Sequence, residues 1–337
     1  MVEREVIRRI IIEGQEFVNE ISLTERPFFF EQKGNYVFVG IRQAGKSYLL
    51  YQRIQQLLRE EHNINEIVYI NFDDERLRQM TADDLDLILQ AYHSLFDLRP
   101  LLFFDEIQNI EGWEHFARRL ANQKYNIYIT GSNAKMLSRE IATTLGGRFW
   151  NKDVYPYSFA EYLNARDIIL SKNWMYGKQA AEVSKAFNDY FLYGGFPELT
   201  DVIAKRVWLN DIYSKIFFSD LIVRNKVRNE EALGLLVRRL AENVKQPVSY
   251  TRLANLISSI GIKISKATVI EFIRYLKESC LIFPIENYAA KFAERNSNMK
   301  HYFIDNGLLS IFLLDGNTSL LENIVAIHLY KRYGAQL

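Results

Sequence analysis

Apolar residues follow two patterns along the first half of the chain. Some stand in short continuous runs, which are typical of strands buried on both faces of a parallel sheet. These runs cover residues 36–39, 67–72, 101–104 and 127–130. Between the runs, apolar residues recur at helical spacing, which predicts helices over residues 2–21, 47–60, 82–96, 112–123 and 134–145. The two patterns together predict an α/β fold in which helices sandwich a parallel sheet.

A phosphate-binding loop is predicted between the first strand and the helix that follows it. Residues 40–47 read Gly-Ile-Arg-Gln-Ala-Gly-Lys-Ser, the form G-x-x-x-x-G-K-[ST]. Backbone N–H groups and the helix N-terminus would surround a phosphate, Lys46 would neutralise its charge, and the Ser47 hydroxyl would ligate Mg²⁺. The residues expected to contact the nucleotide are Gly40, Arg42, Gln43, Ala44, Gly45, Lys46, Ser47 and Tyr48.

Acidic residues follow two of the predicted strands. Asp105 and Glu106 come directly after residues 101–104, which predicts that Asp105 holds Mg²⁺ beside Ser47 and that Glu106 is the general base for a water. Residues 73–75 are Asp-Asp-Glu, and they either face the nucleotide or favour the start of a helix.

Two further polar positions are candidates for the same site. Asn133, or Ser132 before it, follows the fourth strand and could hydrogen-bond both the water and the terminal phosphate, or simply cap the next helix. Arg148 follows two glycines and could stabilise transition-state charge in its own chain or in a neighbouring subunit. It could equally be a surface arginine.

The second half of the chain has a different pattern of apolar residues, which predicts mostly helices. Helices are predicted over residues 159–163, 180–193, 231–244, 252–260, 266–278 and 320–333. Residues 281–285 read as a strand, and residues 302–304 could be its hairpin partner. The order helix, helix, turn, helix, hairpin is that of a winged helix-turn-helix.

Basic residues on this region could contact phosphate. The third helix would expose Lys266, Thr268, Glu271, Arg274 and Lys277, with Val269, Ile270, Phe272, Ile273 and Leu276 facing inward. The loop between the strands carries Lys291, Arg295 and Lys300, which suits a wing laid along phosphate. The alternative is a protein-docking module or a lid over the first domain, and Glu271 and Glu278 weaken the reading as a DNA-recognition helix.

Composition adds limits but no chemistry. The chain has 337 residues, 48% apolar and 25% charged, so two or three domains are expected. The single cysteine, Cys280, excludes an internal disulfide, and neither a signal peptide nor an apolar run long enough for a membrane is visible. A cytoplasmic protein is therefore predicted. Residues 71–115 carry a charge balance of −8 and residues 224–300 one of +7. This asymmetry is compatible with a nucleic-acid face, with an attraction between domains, or with solvated faces that merely differ in charge.

The chain resembles a family of prokaryotic AAA-type P-loop ATPases that carry a poorly characterised C-terminal region. The stretches that carry the resemblance are residues 40–47, 102–108, 112–113, 129–133, 148, 156–163, 193–198, 302–308 and 321–325. The resemblance implies an additional-strand P-loop fold and ATP rather than GTP. Relatives commonly continue into a domain resembling nucleases, so residues 313–337 would begin a truncated further domain.

These observations predict an Mg²⁺-dependent ATPase that couples hydrolysis to conformational change. The expected parts are residues 1–33 as lead-in, 34–155 as ATPase domain, 156–230 as helical connector, 231–312 as winged helix and 313–337 as final helix. Expected partners are ATP, duplex DNA through residues 249–300, and a protein partner or a second copy. The alternative function is a slow nucleotide-dependent switch whose winged helix binds DNA or protein.

Overall fold

The computed structural model of the chain describes residues 2–132, 136, 139–286 and 299–334. The chain divides into two compact units. The first comprises Met1–Gly40 with Gly45–Val154, and the second comprises Ile41–Ala44 with Tyr155–Leu337. Over the described ranges, no helix is both long and apolar enough to cross a bilayer.

A five-stranded parallel sheet forms the centre of the first unit, in the order β2-β3-β4-β1-β5. Its strands are β1 (Asn35–Val39), β2 (Ile67–Asn71), β3 (Leu101–Asp105), β4 (Asn126–Gly131) and β5 (Phe149–Asp153). All five run in one direction, so their carboxyl ends share one edge of the sheet and their amino ends share the other. The predicted parallel α/β sheet is therefore confirmed.

Among the described residues of the first unit, five α-helices belong with this sheet. They are α1 (Arg4–Glu20), α2 (Lys46–Arg59), α3 (Asp86–His93), α4 (Trp113–Asn122) and α5 (Arg139–Leu145). The single helix predicted over residues 82–96 is shorter, because a 3₁₀ turn at Ala82–Asp84 precedes it. There the Asp84 carboxylate accepts a hydrogen bond from the Thr81 backbone N–H, which stops regular helix from extending toward the N-terminus.

The strand β5 is not among those that the hydrophobic pattern predicts. It pairs with β1 at the margin of the sheet, and Phe149 is the one buried residue of this strand. Trp150 is 55% exposed. A strand at an edge needs no continuous apolar run, so nothing in the local sequence marks it.

The second unit is mostly helical. Its helices are α6 (Phe159–Ala165), α7 (Lys178–Tyr193), α8 (Lys205–Lys215), α9 (Glu230–Glu242), α10 (Tyr250–Ser258), α11 (Lys266–Glu278), α12 (Asn306–Ser310) and α13 (Asn317–Tyr333). Directly after α8 the chain continues as a π-helix over Ile216–Val223. Two antiparallel strands, β6 (Ile282–Ile285) and β7 (Lys300–Phe303), follow α11, which confirms the predicted hairpin pairing.

The inner face predicted for α11 needs one correction. Val269, Phe272, Ile273 and Leu276 are buried, but Ile270 is 45% exposed. Ile270 follows the inward-facing Val269 by one residue, and a helix turns by about 100° per residue. The position therefore faces away from the core of the unit.

A buried carboxylate fixes the turn after α7. Asp305 accepts hydrogen bonds from the backbone N–H groups of Gly195 at 2.8 Å and Gly307 at 2.7 Å. Gly194 has a φ of +78°, and a side chain there would collide with the Asp305 carboxylate. Burial raises the pKa of Asp305 to about 6. The glycines of residues 194–195 thus form a fixed turn clamped by a residue more than a hundred positions away.

Candidate nucleotide-binding site

The loop at residues 40–47 connects β1 to α2 at the carboxyl edge of the sheet. Gln43 and Gly45 have φ values of 60° and 92°, in the left-handed region that glycine adopts most readily. A Cβ on Gly40 would collide with the backbone carbonyl oxygen of Val154. Packing against Val154 thus requires glycine at position 40, in addition to any approach of a phosphate.

Lys46 reaches back across this loop. Its Nζ donates to the Gly40 carbonyl oxygen at 3.1 Å and lies 3.7 Å from Glu106 Oε1. The side chain is only 5% exposed. The ammonium group is therefore held at the mouth of the loop, beside the carboxylate predicted to activate water.

Asp105, the last residue of β3, is held on both carboxylate oxygens. Tyr69 on β2 donates its hydroxyl proton to Oδ2 at 2.8 Å, and Thr130 on β4 donates to Oδ1. The Tyr51 hydroxyl lies 2.8 Å from the Tyr69 hydroxyl and continues the chain of hydrogen bonds into α2. Burial and the neighbouring Glu106 raise the pKa of Asp105, while hydrogen bonds from Thr130, Ser47 and Tyr69 oppose the rise.

Glu106 occupies a strained position immediately after the strand. Its φ of 53° is left-handed, which costs a non-glycine residue about 1–2 kcal/mol. Its backbone N–H donates to Thr130 Oγ1 at 3.0 Å. Thr130 therefore touches both acids, donating to Asp105 and accepting from Glu106.

Gln108 holds the Glu106 side chain. Gln108 Nε2 donates to Glu106 Oε2 at 2.5 Å and lies 3.5 Å from the Ser132 hydroxyl. Its Oε1 is buried, with no hydrogen-bond partner among the described residues. An unpaired buried amide oxygen beside a carboxylate fits a site that receives a further donor, such as water.

Sequence reasoning missed Tyr69, Thr130 and Gln108. The first two are hydroxyl-bearing residues within otherwise apolar strands, and that interruption is the signal that could have marked them. Gln108 lies two residues after Glu106 on the 3₁₀ turn Ile107–Asn109, where no periodicity distinguishes it.

The other predicted residues are distributed more widely. Ser47 hydrogen-bonds Asp105, and Tyr48 is 50% exposed with its ring against Tyr51. Asn133 lies outside the described residues. Ser132 is buried at the carboxyl end of β4, within reach of Gln108.

Arg42 belongs to the second unit, where a carboxylate binds it. Its guanidinium donates twice to Asp220, at 3.1 and 3.0 Å, and Arg224 pairs with the same carboxylate at 2.9 Å. Asp220 is 3% exposed and lies in the π-helix Ile216–Val223. The Arg42 side chain is therefore engaged by protein rather than directed only toward a phosphate.

Arg148 precedes β5, at the amino edge of the sheet and thus opposite the P-loop. A five-residue strand spans about 16 Å, so this placement does not bring Arg148 to the phosphate loop of its own chain.

Among the acids at residues 73–75, Asp74 has the second predicted role, at the start of a helical turn. Its side chain caps a 3₁₀ turn by accepting a hydrogen bond from the Arg76 backbone N–H. Hydrogen bonds from Arg76 hold the pKa of Asp74 below its usual value.

Comparison with known proteins agrees with this geometry. The sequence model of an AAA domain matches residues 32–163, and that of a domain of unknown function matches residues 184–319. An uncharacterised protein of Methanocaldococcus jannaschii is 31% identical over 98% of this chain and 75% of its own length. The chain belongs to the prokaryotic AAA-type P-loop ATPases.

Two further similarities extend across most of this AAA-type chain. An uncharacterised protein of Haemophilus influenzae is 31% identical over 88% of the chain and 74% of its own length. Among solved structures, the Walker-type ATPase of Pyrococcus abyssi superposes with a TM-score of 0.51 at 13% identity, covering 93% of this chain and 96% of the other. At that identity the likeness concerns the fold alone. The predicted family is confirmed, and its P-loop fold implies a nucleotide with a divalent metal.

Proposed function

We propose that this chain binds ATP with Mg²⁺ at residues 40–47 and hydrolyses it. The observation that carries the proposal is the convergence of Lys46, Ser47, Asp105 and Glu106 at the carboxyl edge of the sheet. Lys46 lies 3.7 Å from Glu106, and Ser47 bonds Asp105. Phosphoryl transfer to water needs such groups: a cation to neutralise phosphate charge, oxygen ligands for the metal, and a base to accept the proton of the water.

The donor set fits the metal. The Ser47 hydroxyl and the Asp105 carboxylate offer hard oxygen ligands, which Mg²⁺ prefers. Bound Mg²⁺ would neutralise charge on the phosphate oxygens. Lys46 would leave Glu106 to bind phosphate, and Glu106 would then accept a proton from water. Gln108 would keep the carboxylate oriented, and its buried Oε1 is suited to accept a hydrogen bond from that water.

Two variants and a matched control test the assignment. Lys46→Ala is expected to abolish binding of a fluorescent ATP analogue, because it removes the ammonium group that lies 3.1 Å from the Gly40 carbonyl oxygen and would neutralise phosphate charge. Glu106→Gln should bind ATP and lose at least about 100-fold in phosphate release. Glu111→Gln makes the same change at an exposed site five residues away and should leave both unchanged. Wild-type turnover in Glu106→Gln would refute the role of Glu106 as base.

Arg148 and Asn133 complete the proposal. Because Arg148 stands at the amino edge, we propose that it serves the nucleotide of a neighbouring subunit. Mixing Arg148→Ala with Glu106→Gln should then restore turnover, since each variant lacks a different half of a shared site. Asn133 is proposed as the sensor of the terminal phosphate, to be tested by loss of turnover with retained ATP binding in Asn133→Ala.

A second function concerns residues 231–312. We propose that α9 to α11 with the β6–β7 hairpin form a winged helix, joined to the ATPase domain by a connector over residues 156–230. Lys266, Arg274 and Lys277 are exposed along α11, which favours contact with duplex DNA through residues 249–300. Lys291 and Arg295 of the wing lie outside the described residues. The competing possibility is a slow switch whose winged helix docks a protein.

Turnover with and without duplex DNA separates these functions. Stimulation that is lost in Glu106→Gln and weakened by salt supports a DNA-directed ATPase. Slow turnover that DNA leaves unchanged supports the switch, with turnover of order 10⁻⁴ s⁻¹ as in an unstimulated GTPase.

A further inference from the structure

A cleft of about 950 Å³ lies at the edge of the sheet opposite the P-loop. Asn35, Leu101 and Asn126, the first residues of β1, β3 and β4, line it. Its described lining residues belong to the first unit. The length of the strands, about 16 Å, separates this amino-edge cleft from the proposed nucleotide site, so the P-loop does not account for it.

Positive charge accumulates in the amino-edge cleft. Its cationic lining residues are Lys33, Arg53, Arg99, Lys124 and Arg148, and its acidic lining residue is Glu60. Glu60 pairs with Arg53 at 3.1 Å. Across the described ranges, no acid lies within ion-pairing distance of the other four cations. Like charges gathered without counter-charges repel one another, so an anionic ligand would stabilise this arrangement.

The same cleft offers a surface for stacking. The Arg99 guanidinium lies 4.6 Å from the centre of the Tyr125 ring, and it donates to the Gln123 carbonyl oxygen. Asn122 and Asn126 also line the cleft. An aromatic ring within a basic groove is the combination that binds single strands, since an unpaired base can stack where a paired base cannot.

We propose that the amino-edge cleft binds single-stranded nucleic acid. Lys33, Arg99 and Lys124 would contact the phosphates, and Tyr125 would stack against an unpaired base. Binding at this cleft requires neither hydrolysis at the P-loop nor DNA binding by α11. It concerns a different surface and a different form of nucleic acid.

A charge-reversal pair with a matched control tests this site. The probe is a fluorescein-labelled, mixed-sequence DNA strand of about 20 nucleotides, somewhat longer than the roughly 4–16 nucleotides that one single-strand-binding fold covers. Its binding is followed by fluorescence anisotropy in low and moderate salt. Lys33→Glu with Lys124→Glu should weaken binding at least tenfold and reduce the salt slope by about 1.4, at roughly 0.7 per lost phosphate contact. Arg9→Glu with Arg78→Glu makes the same change in net charge at exposed sites of the first unit outside the cleft. This control should bind nearly as wild type does.

A second variant probes stacking without changing charge. Tyr125→Leu should lower the affinity for the probe about tenfold or more, as expected for the loss of one stacked base. The salt dependence of binding should stay unchanged. This variant also tests the cleft if the charge-reversal pair fails to fold. Arg148 is left intact in all variants because of its proposed role toward a neighbouring subunit. Binding of the fluorescent ATP analogue should be unchanged throughout, which separates this proposal from the one for the P-loop.

Three results would overturn the inference. The first is no salt-dependent binding of the probe by wild type. The second is equal weakening in the cleft and control variants, which would mean that only net charge matters. The third is a change of sedimented mass in the cleft variants with unchanged affinity for the probe, because the cleft would then be an interface between copies of the chain.

Discussion

Removal of the Tyr69 hydroxyl should weaken metal binding in addition to lowering the stability of the fold. Tyr69 is 6% exposed, and its hydroxyl stands between Tyr51 and Asp105, at 2.8 Å from each. Burial and the nearby Asp105 carboxylate raise its pKa, so the phenol stays protonated and donates to Asp105. Burial also raises the pKa of Tyr51 to about 12, so Tyr51 keeps its proton and donates to Tyr69. Tyr69→Phe breaks both bonds without changing the ring.

The magnitude follows from these two bonds. A hydrogen bond to a charged acceptor contributes about 1.5–3 kcal/mol, and the Thr130 bond to the other carboxylate oxygen remains. Loss of a group that orients a metal ligand typically lowers metal affinity about 10- to 100-fold. We therefore expect that range for Tyr69→Phe, together with a loss of about 1–3 kcal/mol in the free energy of unfolding.

The assay uses Mn²⁺ in place of Mg²⁺. Free Mn²⁺ is measured by electron paramagnetic resonance during titration of the protein with ADP present, and unfolding is followed separately in urea. Tyr92→Phe is the control, because Tyr92 is a fully buried tyrosine of the same unit whose hydroxyl donates to the Asn65 carbonyl oxygen at 2.8 Å. It should lose about 1 kcal/mol of stability and no Mn²⁺ affinity. Wild-type Mn²⁺ affinity in Tyr69→Phe would refute the claim that this hydroxyl orients Asp105 for a metal.

Two more predictions concern other parts of the chain. Gln108→Leu should lower turnover about 10- to 100-fold with little change in ATP affinity, because Glu106 loses the donor that orients it; Asn109→Ala is the control, and equal effects of the two would argue for general disruption of the turn. His301 is 4% exposed, and burial lowers its pKa to about 4. Between pH 6.5 and 4, His301 is protonated in the unfolded chain but mostly neutral in the folded protein. Acidification through that window should therefore lower the free energy of unfolding of wild type by about 3 kcal/mol relative to that of His301→Phe. The same loss of stability on acidification in both proteins would contradict this.

The candidate site was partly predictable from local sequence. The spacing of residues 40–47 between a strand and a helix predicts a phosphate loop, and Asp105-Glu106 after an apolar run predicts the acids beside it. Both predictions rest on short segments whose conformation is decided within a few residues. Tyr69 and Thr130 could not be assigned in this way, because their importance depends on β2 and β4 lying on either side of β3.

Arg148 illustrates the same limit. Its sequence context, after two glycines, is compatible with a role at any nearby phosphate. Pairing of β5 with β1 places it at the amino edge, where it lines the basic cleft together with Lys33 and Lys124. The charge counts along the sequence do not indicate that cleft, since its cations come from separate segments of a region that also carries many acids.

The sequence by itself determined the family, the alternation of strands and helices, and the residues of the phosphate loop, because periodicity and motif spacing are local properties of the chain. Only the tertiary structure decided which hydroxyls hold Asp105, that Asp305 clamps the turn at residues 194–195, and which edge receives Arg148. Each of these depends on the order β2-β3-β4-β1-β5 or on a contact between distant segments. Such contacts join residues that are far apart in the sequence, and the folded chain must close a long loop to bring them together. No short stretch of sequence contains both partners.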